Sequence, residues 1–325
     1  MREFLITAAD EGQGLLRYAS KIMKKAPIGT LQKALRKGNI TINGGKSSAS
    51  MEIKKGDKVQ LWFSEDTLSK FIPEDREKEA PKLKKEELKD FKRHIIYEDR
   101  HIVLVNKAAG LLTQSDGSGE LCLNDMLLSY YRDGKKGSFN PAAANRLDRN
   151  TSGLVLCGLT TKGLQLLSAG LKERSIGKLY RAVVLGNVSK SKELKAFLTK
   201  DGDKNEVTVT EEEKGSAIVT RFKPLSHISI KDTELTELEV ELVTGKPHQI
   251  RAHLLFAGFP VLGDPKYNTE EGKKASDMLG LQRQLLHAYK VVFPRYKGEF
   301  AALSQKSFEA PLPDDMNRIL KYRRG

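Results

Sequence analysis

Residues 146–156 read Arg-Leu-Asp-Arg-Asn-Thr-Ser-Gly-Leu-Val-Leu, which sets one carboxylate, Asp148, between the guanidiniums of Arg146 and Arg149, just ahead of an apolar run. A neighbouring cation favours the charged form of an acid, so this spacing predicts an ionised Asp148 at neutral pH. An ionised carboxylate attacks an electrophile or takes a proton; it does not donate one. The two Arg side chains suit planar, two-pronged contact with phosphate or carboxylate. Structural ion pairs produce the same pattern, and on these residues alone a buried structural pair outweighs a reactive acid.

The elements that hold this run belong to a chain of 325 residues, long enough for about two domains. Lys and Arg number 56 against 42 Asp and Glu, a net charge of +14 that predicts a polyanionic partner. The surplus is uneven. Residues 1–64 hold 12 basic and 5 acidic side chains, 65–93 hold 9 of each, and 94–325 hold 35 against 28. Two positive modules therefore flank a neutral, highly charged connector. No apolar run approaches the roughly 20 residues that span a bilayer, and the start lacks a basic segment followed by an apolar one. The expectation is a cytoplasmic protein with no membrane partner. Cys122 and Cys157 lie far apart and form no CxxC pair, so they read as packing residues rather than a disulfide or zinc framework.

Apolar residues at helical spacing (Leu15, Leu16, Ala19, Ile22 and Met23, then Ile28, Leu31, Ala34 and Leu35) predict two short helices separated by Pro27. Strands follow at 40–42 and 58–63, around the turn signals Asn43-Gly44 and Lys55-Gly56-Asp57. Residues 65–93, with Pro73 and Pro81, read as a hinge or solvated linker, helical near 86–91. A hairpin at 94–107 opens the next domain. Strands at 154–156, 180–185, 207–209, 217–220, 237–243 and 289–293 mingle irregularly with helices over 121–131, 162–172 and 248–257. That order argues for an α+β fold, since the regular alternation of a doubly wound sheet is missing. The expected organisation is thus 1–64, a small α/β domain; 65–93, a linker; and 94–325, a catalytic domain.

Within the first domain, Lys33, Arg36 and Lys37 line one side and the end of a helix, as a ridge for phosphates or as an ordinary solvated face. The run Gly38-Asn39-Ile40-Thr41-Ile42-Asn43-Gly44, with Lys54-Lys55-Gly56-Asp57-Lys58-Val59, resembles the small RNA-binding domain of the ribosomal protein S-four type. The resemblance implies RNA contact through Lys33, Arg36 and Lys37. It departs from that pattern at Leu16-Arg17-Tyr18-Ala19, where the first helix usually opens differently.

Asp148 is accompanied by Lys107-Ala108-Ala109-Gly110-Leu111, Lys178-Leu179-Tyr180-Arg181-Ala182, residues 244–254 (Thr-Gly-Lys-Pro-His-Gln-Ile-Arg-Ala-His-Leu), Gly263-Asp264-Pro265-Lys266-Tyr267 and Leu285-Leu286-His287-Ala288. In this order they resemble the RluA-type pseudouridine synthases, and with the N-terminal domain the chain resembles the ribosomal large-subunit members of that family. The resemblance implies a mixed, mainly antiparallel sheet with flanking helices and a central cleft. It also implies isomerisation of uridine to pseudouridine in RNA, most directly ribosomal RNA, by a monomer needing no cofactor or metal. Asp148 would be the catalytic acid, Arg146 would occupy the space of the flipped nucleotide or hold its backbone, Tyr180 would stack on the flipped base, and Arg251 would pair with Asp148. Three positions depart from the family: Asn145 stands for the usual His, Asn150 for the usual Asp, and Ala108 for the usual Pro.

Other readings compete. Tyr180 opens an apolar run and fits a core position equally well. His248 and His253 are five apart, not the three or four that one helical face needs for a metal, and read as structural. The Gly/Ser-rich loop 114–119 lacks the Lys-Ser/Thr ending of a phosphate loop and reads as a connection. The departures and the two basic modules also fit a non-catalytic RNA-binding or ribosome-assembly protein. A hydrolase built on Asp148 needs a second placed carboxylate, which no motif supplies.

Overall fold

Alternation decides the small N-terminal sheet: in strand Lys58–Leu61, Val59 and Leu61 turn inward while Lys58 is exposed. This strand pairs antiparallel with both Arg2–Leu5 and Ile40–Ile42. Helices Leu15–Ile22 and Ile28–Lys37 lay Leu15, Ala19, Leu31 and Leu35 on the same core as Ile40, Ile42, Val59 and Leu61. Helix Glu65–Phe71 is capped by the Ser64 side chain and adds Leu68 and Phe71, so this core continues past residue 64. The computed structural model describes residues 1–72, 83–131, 139–201 and 206–322. The part of the expected linker that holds Pro73 and Pro81 lies outside the described residues. Helix Lys85–Arg93 occupies the stretch where helix was expected.

The chain divides into two compact units. One comprises Met1–Leu104, Gln114–Asn145 and Leu156–Ser168; the other comprises Val105–Thr113, Arg146–Val155 and Ala169–Gly325. The first holds the N-terminal sheet and helices, strand Ile95–Glu98, helix Leu123–Tyr131 and the short strand Ala142–Ala143. Among the described residues, no helix is long and apolar enough to cross a membrane.

In the second unit a large sheet runs in the order Glu206–Thr210, Lys192–Asp201, Ser216–Ile230, Thr233–Leu242, Gly177–Leu185, Leu286–Val292, each neighbour antiparallel. The strand Ser152–Gly158 joins by a parallel contact of Ser152 and Gly153 with His287 and Ala288. Gly153 has φ +113, and a Cβ there would lie 2.3 Å from the Ala288 carbonyl oxygen, so only glycine lets this strand start so close to its neighbour. Helix Gln249–Phe256 sets Ala252 against Ala196, Leu198 and Ile218, and helix Asp314–Leu320 sets Met316 and Ile319 against Val183, Ile228 and Leu235. The result is the mixed, mainly antiparallel α+β architecture with flanking helices.

Several elements leave no clear mark in the sequence, among them strands Arg2–Leu5 and Lys192–Asp201 and helices Glu65–Phe71, Glu270–Met278 and Asp314–Leu320. Lys192–Asp201 carries several Lys among its apolar positions, and only pairing on both edges makes it a strand. Helix Glu270–Met278 buries Gly272, Ala275 and Ser276, residues too small to register as an apolar stripe.

Candidate active site

The loop carrying Asp148 is held mainly by its own backbone. Thr113 clamps Leu147 from both sides, its Oγ1 donating to the Leu147 carbonyl (3.0 Å) and accepting from the Leu147 N–H (3.2 Å). The Gly110 N–H and the Lys107 ammonium both donate to the Arg149 carbonyl, at 2.9 and 3.0 Å. Arg283 donates to the Asn150 carbonyl (3.2 Å), Gln284 donates to Thr151 Oγ1 (3.1 Å), and the Thr151 N–H closes a turn onto the Asp148 carbonyl (3.0 Å). Backbone groups held from this many sides leave a loop little freedom.

Lys107 is itself buried. Burial pushes its ammonium down to about 7, Asp148 raises it and Arg283 lowers it. Its Nζ meets three carbonyls, those of Ala108, Leu111 and Arg149, at 2.8 to 3.0 Å. Three acceptors call for three N–H donors, which only the ammonium has, so the loop is built around the cation.

The guanidinium against Asp148 is not one of its sequence neighbours. Arg146 is exposed and its side chain makes no ion pair or hydrogen bond among the described residues, while Arg149 turns its Nε to the Gly110 carbonyl at 3.1 Å. Adjacent residues in a tight turn point apart, so proximity in sequence gave the wrong partner. Arg251, from the buried helix Gln249–Phe256, supplies the cation: its Nη1 lies 2.9 Å from Asp148 Oδ2. The same guanidinium forks onto Asp264, Nε to Oδ2 at 2.6 Å and Nη2 to Oδ1 at 2.8 Å. Burial opposes the charge on Arg251, but the Asp264 and Asp148 carboxylates outweigh it and hold the cation above its ordinary pKa. Asp264 is fully buried, with Oδ1 accepting also from the N–H groups of Lys266 and Tyr267 at 2.8 and 2.9 Å. The Asp148 side chain keeps 26% of its surface, so its carboxylate stands at the open end of a buried acid–base–acid chain.

The second oxygen of Asp148 faces a group the sequence reading set aside as structural. His248 begins the helix in the left-handed conformation (φ 53), which brings Nε2 to 3.9 Å from Asp148 Oδ1. Its Nδ1 meets the Tyr267 hydroxyl at 2.9 Å, and that hydroxyl accepts from the Val207 N–H at 2.9 Å. Directed at Nδ1, the hydroxyl proton leaves Nε2 as the protonated nitrogen, facing Asp148. Burial holds the imidazole below its ordinary pKa, with Asp148 pulling the other way, so it is neutral at pH 7. No spacing rule would have found it, because the contact depends on a left-handed residue and on a tyrosine 19 positions away.

Tyr180 lies in strand Gly177–Leu185 and is 5% exposed; burial first, and then Asp148, raise its hydroxyl pKa. The Tyr180 hydroxyl and the Asp148 carboxylate thus share one neighbourhood. His253 is different: its Nδ1 bonds Thr220 Oγ1 at 3.0 Å and burial holds it to about 4, the behaviour of a structural imidazole. Asn145 accepts from the Leu156 N–H at 2.8 Å, a bond that needs no charge. Lys33, Arg36 and Lys37 are exposed on helix Ile28–Lys37. Among the described residues, no group of three His, Cys, Asp or Glu side chains is placed to hold a metal.

Comparison with known proteins identifies the family. The family model described as RNA pseudouridylate synthase matches residues 101–256. An uncharacterized RNA pseudouridine synthase of Mycoplasma genitalium is 31% identical over 300 residues, 90% of this chain and 89% of the relative. A ribosomal large subunit pseudouridine synthase C of Rickettsia conorii is 32% identical over 261 residues, 78% of this chain and 82% of the relative. The solved structure of human RNA Pseudouridylate Synthase Domain Containing 4 covers 72% of this chain and 94% of that one with a TM-score of 0.58 at 21% identity, a likeness of fold.

Proposed function

This chain belongs to the RNA pseudouridylate synthase family, and on that premise we propose that it isomerises uridine to pseudouridine in ribosomal large-subunit RNA, with Asp148 as the catalytic residue. The observation that carries the reading is the half-open Asp148 carboxylate, anchored from behind by Arg251 and Asp264. The reaction breaks the bond between a ring nitrogen of uracil and the ribose and makes one from a ring carbon to the same sugar carbon. The proton lost by that ring carbon is balanced by one gained at the nitrogen, so no redox partner is consumed. Such a step suits one ionised carboxylate acting as nucleophile or base.

A uridine in folded RNA must leave its stack first, at a cost of about a few kcal/mol, least where it is already unpaired. Exposed Arg146 is free to enter the vacated space or to hold the phosphates, and we assign Tyr180, 5% exposed beside Asp148, to contact with the flipped base through the little of its ring that stays open. Arg251 donates to one oxygen of Asp148 at 2.9 Å and His248 Nε2 stands 3.9 Å from the other, close enough to act on it once substrate closes the site. The names of the Rickettsia relative and its counterparts in Vibrio and Pasteurella support ribosomal RNA as the substrate. One chain supplies Asp148, Tyr180 and Arg251, which supports a monomer, and an RNA substrate supports the cytoplasm as its place of action. The test is to map pseudouridines in RNA from cells with and without this chain. At least one site disappears with it and returns on complementation; an unchanged map overturns the proposal.

We assign residues 1–64 to RNA binding, as a domain of the S-four type, through Lys33, Arg36 and Lys37. Replacing all three by Ala lowers affinity and flattens the dependence of log K on log salt by about two, since each lost phosphate contact removes roughly 0.7–0.9 from the slope. Filter binding across a salt series reads it, and an unchanged slope removes the three from the interface. For His248, Asn tolerates the left-handed backbone and can keep the Tyr267 bond, but places no N–H where Nε2 stood. Single-turnover kinetics of His248→Asn should show kcat down about tenfold at unchanged KM, the loss of one orienting N–H; an unchanged kcat would remove His248 from the site.

A further inference from the structure

Trp62 is the only tryptophan in the chain, and it is 50% exposed. A lone exposed aromatic needs no explanation in itself. This one is distinguished by being locked. Its Nε1 donates to Thr41 Oγ1 at 2.8 Å, Thr41 donates to Gln60 Oε1 at 2.9 Å, and that oxygen also accepts from the Gly44 N–H at 2.9 Å. Gln60 Nε2 reaches Glu3 at 3.2 Å, and the Trp62 backbone N–H donates to the Asn39 carbonyl at 2.7 Å. Half of this residue stays open to solvent while Nε1 and the backbone fix the ring's orientation, so little freedom remains to be lost when something stacks on it.

Its surroundings are cationic. Asn39 follows Gly38, the left-handed cap of helix Ile28–Lys37, whose last turn carries exposed Arg36 and Lys37. Exposed Lys46 drapes over Gly38, with Cε 2.6 Å from where a Cβ would sit. The acids nearby are already engaged: Glu3 pairs with Lys58 at 3.3 Å, Glu65 pairs with Arg2 at 2.9 Å, and Asp66 lies in the first turn of helix Glu65–Phe71, whose positive end it balances. Arg36, Lys37 and Lys46 are thus available to an outside anion.

We infer that Trp62 is a stacking platform for an unpaired base of RNA, whose flanking phosphates are held by Arg36, Lys37 and Lys46. An aromatic face framed by cations matches a single strand, which offers both open bases and regularly spaced phosphates. A duplex hides its base faces and an acidic protein segment carries a planar ring only at occasional positions, whereas every nucleotide of a single strand brings a ring and a phosphate together. This inference deepens the reading of the N-terminal domain as an RNA binder, but it does not depend on catalysis.

The single tryptophan makes the test direct, using the full chain. Titration at low salt with an oligouridylate or oligoadenylate of about ten nucleotides, within the usual span of such sites, should quench Trp62 emission, and a blunt RNA duplex of equal length should not. Trp62→Leu should weaken the oligonucleotide about tenfold by fluorescence anisotropy with unchanged circular dichroism, while Trp62→Phe restores most of the affinity. Equal quenching by duplex, quenching by an acidic peptide alone, or an affinity for Trp62→Leu equal to the parent's would each overturn the stacking site. Binding is read without turnover, so failure here leaves the isomerase reading standing, and a missing pseudouridine leaves the stacking result standing.

Discussion

Asp148→Asn is expected to lower pseudouridine formation by about 10⁴-fold or more, the scale of losing a sole nucleophile or base, with RNA affinity within about threefold of the parent. The substitution is nearly isosteric and leaves the loop intact, because the anchors there act on backbone atoms: Thr113 on Leu147, Lys107 and Gly110 on Arg149, Arg283 on Asn150, and the Thr151 N–H on the carbonyl of residue 148. An amide oxygen still accepts from Arg251. What the amide lacks is the charge, hence both the nucleophile and the base. Single-turnover release of tritium from uracil-labelled RNA, paired with filter binding, separates the two quantities. Turnover within tenfold of the parent would remove Asp148 from the chemistry, and a parallel fall in affinity would make it a binding group.

The fold class and the Asp148 run were legible because they are local. Strands such as Gly177–Leu185 and the amphipathic pair at the N-terminus announce themselves by period, and the motif order carried Tyr180 and Arg251 into one site. Partners set by tertiary packing were legible only where the family resemblance carried them, as it did for the pairing of Arg251 with Asp148, and not from local sequence. Arg146 and Arg149 stood beside Asp148 in sequence but turn away from it, and the cation comes from 103 residues downstream. Asp264 shows no role in the run Gly263–Tyr267, since burial and a forked ion pair leave no mark on spacing. The spacing of His248 and His253 bears only on metal geometry, which it fails, while the contacts of His248 depend on a positive φ. Lys192–Asp201 is a strand because two neighbours pair with it, not because its composition asks for one.

The buried chain Asp148–Arg251–Asp264 predicts a reversal of sign that only its charges explain. Arg251→Met leaves the fully buried Asp264 with a charge compensated by two backbone N–H groups alone, and should cost about 3–5 kcal/mol of stability. Asp264→Asn in the parent also destabilises, because the buried guanidinium loses its two-pronged partner and keeps only Asp148, a quarter exposed. In the Arg251→Met background the same Asp264→Asn change should instead stabilise, since it removes the orphaned charge while the Asn oxygen still accepts from Lys266 and Tyr267. Denaturant midpoints for the four proteins of the cycle give the coupling directly. Activity should follow a different rule: the double variant regains stability yet remains as inactive as Arg251→Met, because Asp148 has no cation to fix its plane. If Asp264→Asn destabilises equally in both backgrounds, the network is held by shape rather than charge. If the double variant recovers turnover with its stability, Arg251 supports the fold and not the reacting carboxylate.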